Sequence, residues 1–493
     1  MTDRQAVGQL LMPVLEGADA DIVTAGQAAD NRALTGQSTP AAAVRSLHLG
    51  GVILMGGQAS NVDNPVQVGR LTAGLQRAAR RAHDPALLVS TDQEQGVVTR
   101  IGPPATRFPG NMAVGASGSR ALAAAAAYDT GSELRAMGVD VDLAPDADVT
   151  AGEGNAVIGS RSFGSDPASV ARLVGASVVG YQRAGVAAVA KHFPGHGDTD
   201  VDSHTALPVL RQPFAALLER DGLPFGAAIS SQVGAVMVGH LDARAVDPGV
   251  PASLSPAVVT GLLRHRMGFT GVVMTDAMNM EPVTSRYDSG AAAVHAILAG
   301  DDIVVMPVNP AAAEAGLLAA VRDGALTRDR INESVARVLA LKRLIAARPT
   351  GTSGVGTAAH AVDAAAVARA AVTVLAGRCA ARLIPQTVDV VGDPHGSSAL
   401  AAALAARGVR VVSGAATTIA VTGYGEASAP AADVVVAADT PYLLGRSAVP
   451  VRIAAYDDSP VAMSAAADAL LGRLLERGRS PVAVTGLPRS ACS

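Results

Sequence analysis

The chain predicts an α/β protein: a (β/α)8 TIM barrel followed by a smaller αβα sandwich domain. Three observations predict it. Short apolar runs alternate with longer segments of helical composition, as a parallel sheet with crossover helices requires. Eight such runs fall within the first 310 residues or so, the number a barrel of this type needs. Polar residues cluster where the runs end: Asp92 after the third, Asp146 and Asp148 after the fourth, Lys191 and His192 after the fifth, His240 after the sixth and Asp276 after the seventh. Barrel enzymes assemble their sites from strand C-termini far apart in sequence.

The runs lie at 9–14, 50–55, 86–91, 139–144, 186–190, 235–239, 271–275 and 302–306. The helical stretches between them include 66–82, 119–137, 167–183, 255–267 and 291–299, and an amphipathic helix at 328–347 closes the barrel. Pro349 to Thr357 has the composition of a flexible linker. The expected division is a catalytic barrel at 1–348, a linker at 349–360 and a second domain at 361–493. Strands are expected there at 388–391, 409–412, 419–422, 434–437, 452–456 and 482–485, with helices at 364–375, 397–406 and 461–477. That pattern suggests an open, wound sheet. No G-x-G-x-x-G follows its first strand, so a dinucleotide site is unsupported. Asp393-Pro394-His395-Gly396 and Gly423-Tyr424-Gly425-Glu426 read as plain loops.

Composition narrows the function classes. The chain has 493 residues, 49% hydrophobic and 17% charged, enough for two or three domains with a large core. A net charge of −4 argues against nucleic acid or an anionic membrane surface as partner. The two cysteines, Cys379 and Cys492, do not indicate a disulfide framework and are compatible with a reducing compartment. The N-terminus lacks a basic then apolar leader pattern, and no run approaches the ~18 apolar residues of a membrane span. A cytoplasmic protein, monomeric or homodimeric, without cofactor or metal, is therefore expected. With no Trp, six Tyr and six Phe, any ligand site must rely mainly on hydrogen bonds and charge.

The densest chemistry is Lys191-His192-Phe193-Pro194-Gly195-His196-Gly197-Asp198-Thr199-Asp200-Val201-Asp202-Ser203-His204. Pro194, Gly195 and Gly197 favour a shaped loop over a helix. It reads as a polar turn, a metal site or a general acid/base pair in which Asp202 orients His204. A zinc-like site needs three or four converging ligands, and a local metal loop leaves Asp276, Arg100 and Arg161 without a role. Asp276 ends a buried strand; it is read as functional, although Asp also serves as a helix N-cap. Asp92, in Ser90-Thr91-Asp92-Gln93-Glu94-Gln95-Gly96, is similar, and Arg100 and Arg161 lie in neighbouring loops.

Together these motifs resemble glycoside hydrolase family 3, in its two-domain β-N-acetylhexosaminidase branch. The loop Lys191 to Gly197 with Asp202-Ser203-His204 carries the resemblance, with the strand Gly271-Val272-Val273-Met274-Thr275-Asp276. The second domain is similar to that branch's C-terminal domain through Ala454-Ala455-Tyr456-Asp457-Asp458 and the segment 478–486. The resemblance implies that Asp276 is the nucleophile, His204 the general acid/base and Asp202 its partner. It also implies that Asp92, Arg100, Arg161, Lys191 and His192 hold the sugar. One departure is visible: the family reads Asp-x-Glu-Gly-Gly, and Gln95 stands at the first Gly, which leaves the part played by Glu94 open.

The resemblance implies a small GlcNAc-containing glycoside or muropeptide as substrate, chitooligosaccharides included. A retaining glycosidase needs a nucleophile on one side of the anomeric carbon and an acid on the other. His titrates near neutrality without assistance. A His base, unlike a carboxylate, does not repel phosphate, so phosphorolysis on the same residues is an alternative. A β-glucosidase and a catalytically silent sugar-binding protein are the remaining readings.

Overall fold

The computed structural model describes residues 1–155, 157–199, 201–345, 352–426, 428–474 and 478–492. Eight parallel strands form the first part: β1 (Leu11–Met12), β2 (Gly51–Ile53), β3 (Leu88–Thr91), β4 (Val141–Asp142), β5 (Ala187–Phe193), β6 (Ala235–Val238), β7 (Val272–Thr275) and β8 (Val304–Val305). Strands β2 to β7 run in order β7-β6-β5-β4-β3-β2, and β8 pairs with β1. A Met274–Ile303 bridge joins β7 to β8. The Ile53 N–H donates to the Pro13 carbonyl at 3.1 Å and ties β2 to the end of β1, so the sheet curls round on itself. Every residue of these strands is buried, because helices cover the outside and side chains fill the inside. That is why the sequence shows continuous apolar runs and not an alternation.

Each strand falls within its expected run except β5, which continues through Lys191, His192 and Phe193. Helices start and stop on local signals. Asn64 caps Pro65–Arg81 by accepting from the Gln67 N–H at 3.0 Å. Gly185, in the left-handed region at φ 82°, ends Pro167–Ala184. The segment after β6 is a wide π-helix, Ala257–Arg266. The last barrel helix is Arg328–Ile345; positions 346–347 of the expected helix and 349–351 of the expected linker lie outside the described residues.

The second part is one six-stranded sheet: β9 (Thr373–Ala376), β10 (Thr387–Gly392), β11 (Arg410–Val411), β12 (Thr418–Thr422), β13 (Val434–Ala437) and β14 (Val451–Ala454). Its order is β9-β14-β13-β12-β10-β11, parallel except for the β9–β14 pair. Helices Ala358–Ala371, Pro394–Ala405 and Pro460–Leu470 cover one face. The other face buries Val435, Ala437 and Tyr456 against Met112, Ala113 and Ala116 of the barrel helix Asn111–Ser117. The two parts therefore share a hydrophobic core.

Several expectations need correction here. The helix expected at 364–375 is Ala358–Ala371, capped by Thr357, so it starts inside the expected linker. Val372, at φ −52° and ψ 130°, then turns the chain into β9. Residues 482–485 form no strand; Val482 and Val484 bury into the core shared with the barrel instead. Asp393 is an N-cap rather than a loop residue, accepting from the Gly396 N–H at 2.7 Å. Positions 475–477 of the last expected helix are outside the described residues. Cys379 and Cys492 are joined in a disulfide, which the sequence did not indicate. The sequence places them 113 residues apart, and pairing across that distance depends on the fold that brings the C-terminus alongside β9, where the Ala491 N–H donates to the Val374 carbonyl at 2.8 Å.

Candidate active site

The site lies at the C-terminal ends of the barrel strands. Strand β5 delivers Lys191 and His192. These are consecutive, and in a regular strand they would point to opposite faces. Between Ala190 and Phe193 the pairing with β6 slips by one residue, and such a bulge re-aims side chains. Both residues consequently line one cavity. Asp92 follows β3. The short hairpin of Gln93–Gln95 and Val98–Thr99 then carries Glu94 and leads to Arg100. The loop after β4 holds Asp146 and Asp148 and brings Arg161 in on a 3₁₀ turn, Gly159–Arg161. Asn111 steadies that turn, its side-chain amide donating to the Arg161 carbonyl at 2.8 Å.

A buried charge network knits these groups together. Lys191 Nζ lies 2.7 Å from Asp92 and 2.6 Å from Glu94. Arg161 donates to both Glu94 oxygens at 2.9 Å, a bidentate pairing. Burial by itself would raise the Glu94 carboxyl, but Arg161 and Lys191 more than offset it and hold the group below the usual carboxylate range. Burial likewise opposes the Lys191 charge, and Asp92 and Glu94 restore it. Arg100 faces Asp92 at 3.7 Å. His192 Nδ1 bonds Asp148 at 2.8 Å, leaving Nε2 beside Arg161 at 3.4 Å.

Asp276 follows β7 and accepts the Ala277 N–H at 2.7 Å. Burial pushes its carboxyl up; His192, His240 and the Ala277 N–H outweigh that and leave it below its ordinary value. It is therefore ionised and underused as an acceptor, the state a carboxylate nucleophile needs. His240 sits behind it, fully buried, with Nδ1 on Ser253 at 2.6 Å and Nε2 on the Ala277 carbonyl at 3.0 Å.

The loop after β5 wraps over this floor. His196 is buried between Thr199 (2.8 Å) and Ser203 (3.1 Å). Burial pushes its ring down to about 4, so it is neutral and holds the loop. Asp202 Oδ1 accepts the His204 N–H at 2.9 Å and meets His204 Nδ1 at 2.8 Å. This fixes the ring and leaves Nε2 available. The pair stands at the rim, with side-chain exposures of 67% for His204 and 43% for Asp202. Asp198 faces Arg220 at 3.7 Å; Asp200 lies outside the described residues.

Of the eight residues the sequence singled out, Asp92, Arg100, Arg161, Lys191, His192, His204 and Asp276 line one cavity of about 330 Å³. Asp202 stands behind His204. That volume is at the lower end of the range for small-molecule sites. Met55, Met237, Met280 and Met306 form an apolar wall. Asp146, Asp148 and His192 offer ligand atoms within 4.8 Å of one another. The Arg161 guanidinium is 3.7 Å from Asp146, however, and the His192–Asp148 hydrogen bond already spans the cluster, so a cation there would face a fixed positive charge. Sequence reasoning left Glu94 without a role and His240 unassigned. The Asp-x-Glu spacing hints at the first; the second is marked only by its place at the end of β6.

The profile of the family described as Glycosyl hydrolase family 3 N terminal domain matches residues 2–341. A Beta-hexosaminidase A of Pseudoalteromonas piscicida is 35% identical over 355 residues, covering 66% of this chain and 59% of that protein. A Beta-N-acetylglucosaminidase/beta-glucosidase of Cellulomonas fimi is 33% identical over 308 residues, 60% of this chain and 53% of its own. The chain thus spans little more than half of these two relatives. The solved structure of a glycoside hydrolase family 3 beta-N-acetylglucosaminidase from Paenibacillus sp. str. FPU-7 superposes with a TM-score of 0.87 at 33% identity, covering 98% of this chain and 99% of that one.

Proposed function

The chain belongs to glycosyl hydrolase family 3, and on that premise we propose that it is a retaining, exo-acting β-N-acetylglucosaminidase. The observation that carries the reading is the pairing of an ionised Asp276 with an Asp202-held His204 around one cavity of about 330 Å³. Asp276 attacks the anomeric carbon and forms a glycosyl-aspartate. His204, protonated on Nε2, donates to the departing oxygen and then takes a proton from water in the second step. Asp202 keeps Nδ1 occupied and supports the imidazolium, as the Asp of a Ser-His-Asp triad does. Lys191, Arg161, Arg100 and Asp92 suit the sugar hydroxyls, supplying both donors and an acceptor. The methionine wall suits the acetamido methyl, since thioether side chains fit irregular apolar groups. A closed floor and a rim-mounted acid favour removal of one terminal sugar at a time.

We assign the protein to an oxidising compartment rather than the cytoplasm, because disulfides such as Cys379–Cys492 persist where thiols are not kept reduced. No helix among the described residues is long and apolar enough to cross a membrane.

The test is turnover of a chromogenic β-GlcNAc glycoside beside β-GalNAc and β-Glc analogues, with and without inorganic phosphate. Wild type should release free GlcNAc independently of phosphate, and Asp276→Ala should lose at least about 10³-fold in kcat. Unchanged turnover in the variant would overturn the nucleophile assignment. Formation of a sugar 1-phosphate would favour a phosphorylase, which a His base permits.

A further inference from the structure

The family match ends at residue 341, and every residue assigned so far to catalysis or sugar binding precedes it. The C-terminal sheet nonetheless touches the loops that carry those residues. Asp439, just beyond β13, accepts from the Ser160 hydroxyl at 2.5 Å, one residue before Arg161. Arg446 pairs with Glu153. Asp458, beyond β14, pairs with Arg107 at 2.5 Å. A groove of about 490 Å³ lies along this contact, lined among others by Val97, Val98, Arg107, Tyr424 and Asp458. Val98 lines the catalytic cavity as well, so the groove lies next to it.

The groove has the chemistry of a sugar site. Tyr424, at the turn after β12, is 56% exposed and is the groove's aromatic side chain. Its phenol is near enough to Asp439, Arg161 and Asp202 to feel their charges. An aromatic face packs against the C–H face of a pyranose. The Arg107–Asp458 pair presents donors and acceptors side by side, the pattern that meets vicinal sugar hydroxyls. Arg107 Nε is buried and has no hydrogen-bond partner among the described residues. The charge here is not positive. Asp458 neutralises Arg107, and the buried Asp457 carboxylate lies just beneath Gly96, 3.5 Å from where a Cβ at that position would stand.

We infer that Tyr424, Arg107 and Asp458 form the subsite for the leaving group, and that it selects an uncharged pyranose over one bearing a carboxylate. The inference rests on the glucosaminidase reading and adds the substrate's second ring to it. A β-linked N-acetylglucosamine disaccharide or trisaccharide fits; a disaccharide whose second ring carries an acidic ether side chain meets the Asp458 carboxylate and finds Arg107 already paired with it.

The full chain tests this with two donors. N,N′-diacetylchitobiose fills both subsites, and N-acetyl-β-D-glucosaminyl fluoride fills the first alone. Tyr424→Ala should lower kcat/KM on chitobiose by about 10- to 50-fold, at least ten times its effect on the fluoride, mainly through KM; Tyr424→Phe should retain most of the wild-type value. Wild type should also prefer chitobiose to GlcNAc-β-1,4-N-acetylmuramic acid by tenfold or more, and Asp458→Asn should narrow that ratio. Equal losses on both donors, no loss on chitobiose, or equal wild-type rates on the neutral and acidic disaccharides would overturn the subsite. A wild-type protein that cleaves neither donor would instead overturn the glucosaminidase reading beneath it. Melting temperatures of the variants separate misfolding from a lost contact.

Discussion

Gln95 holds a backbone shape that glycine supplies more cheaply. Its φ is 71°, in the left-handed region that costs a side-chain-bearing residue about 1 kcal/mol or more. The side chain offsets this: Nε2 donates to Thr130 at 3.0 Å, and Oε1 accepts the Phe108 N–H at 3.1 Å. The hairpin therefore keeps its turn without the family's glycine, and Glu94 still reaches Arg161 and Lys191. His196 gives a residue-scale prediction. Its ring titrates near 6.5 in the unfolded chain and about 4 in the folded one. Between those values the unfolded state binds the extra proton, so this residue's contribution to stability falls as pH falls from about 6.5 to 4 and is level below that. Urea denaturation of wild type and His196→Asn across pH 4 to 7 should show a steeper acid loss in wild type; parallel curves would contradict it. The Asp202–His204 pair was legible because partners two residues apart can meet within one turn of loop. Glu94 and Arg161 were not legible as a pair, being 67 residues apart.

Elements decide which residues face the cavity. Strand period alone would put Lys191 inside and His192 outside; the slip in β5 against β6 brings both inward. A bulge of this kind has no signature in an apolar run followed by Lys and His, so the sequence placed both residues in a loop after the strand. The hairpin after β3 has a comparable role: it returns Glu94 beneath Lys191 and Arg161. Glu94→Gln should raise KM about tenfold or more and destabilise the protein by about 3 kcal/mol, because it leaves two buried cations undercompensated. Kinetics with denaturant titration checks both. A variant with wild-type stability would mean the network is solvated and that Glu94 has no structural part.

At the scale of the molecule, the C-terminal sheet is fastened to the barrel through a shared core and to itself through Cys379–Cys492. A loop closed over 113 residues restricts the unfolded chain by an amount worth about 4 to 5 kcal/mol in the chain-entropy account. Cys379→Ser, or reduction with dithiothreitol, should lower the urea midpoint correspondingly. Because the same sheet braces Ser160 and Arg107, activity on the disaccharide should be lost at lower urea concentration than in wild type. An unchanged midpoint would remove the bond from the stability account. Leu443, Leu444 and Val484 fill the core on the barrel side of the sheet, so its loosening reaches the barrel helix Asn111–Ser117.

By itself the sequence determined the barrel's eight strands and the order of its helices, through apolar runs and the helical stretches between them, and it nominated eight site residues through titratable groups near strand ends together with the family resemblance. Tertiary structure alone decided the pairing of Cys379 with Cys492, the extra strand β9, the inward turn of His192 and the approach of Tyr424 to the cavity mouth. Each of these joins groups whose chain separation carries no local signal, or depends on a register shift that a composition reading cannot see. The division follows from range: propensity and patterning act over a few residues, whereas the leaving-group side of the site is built from two sheets that meet only once both have folded.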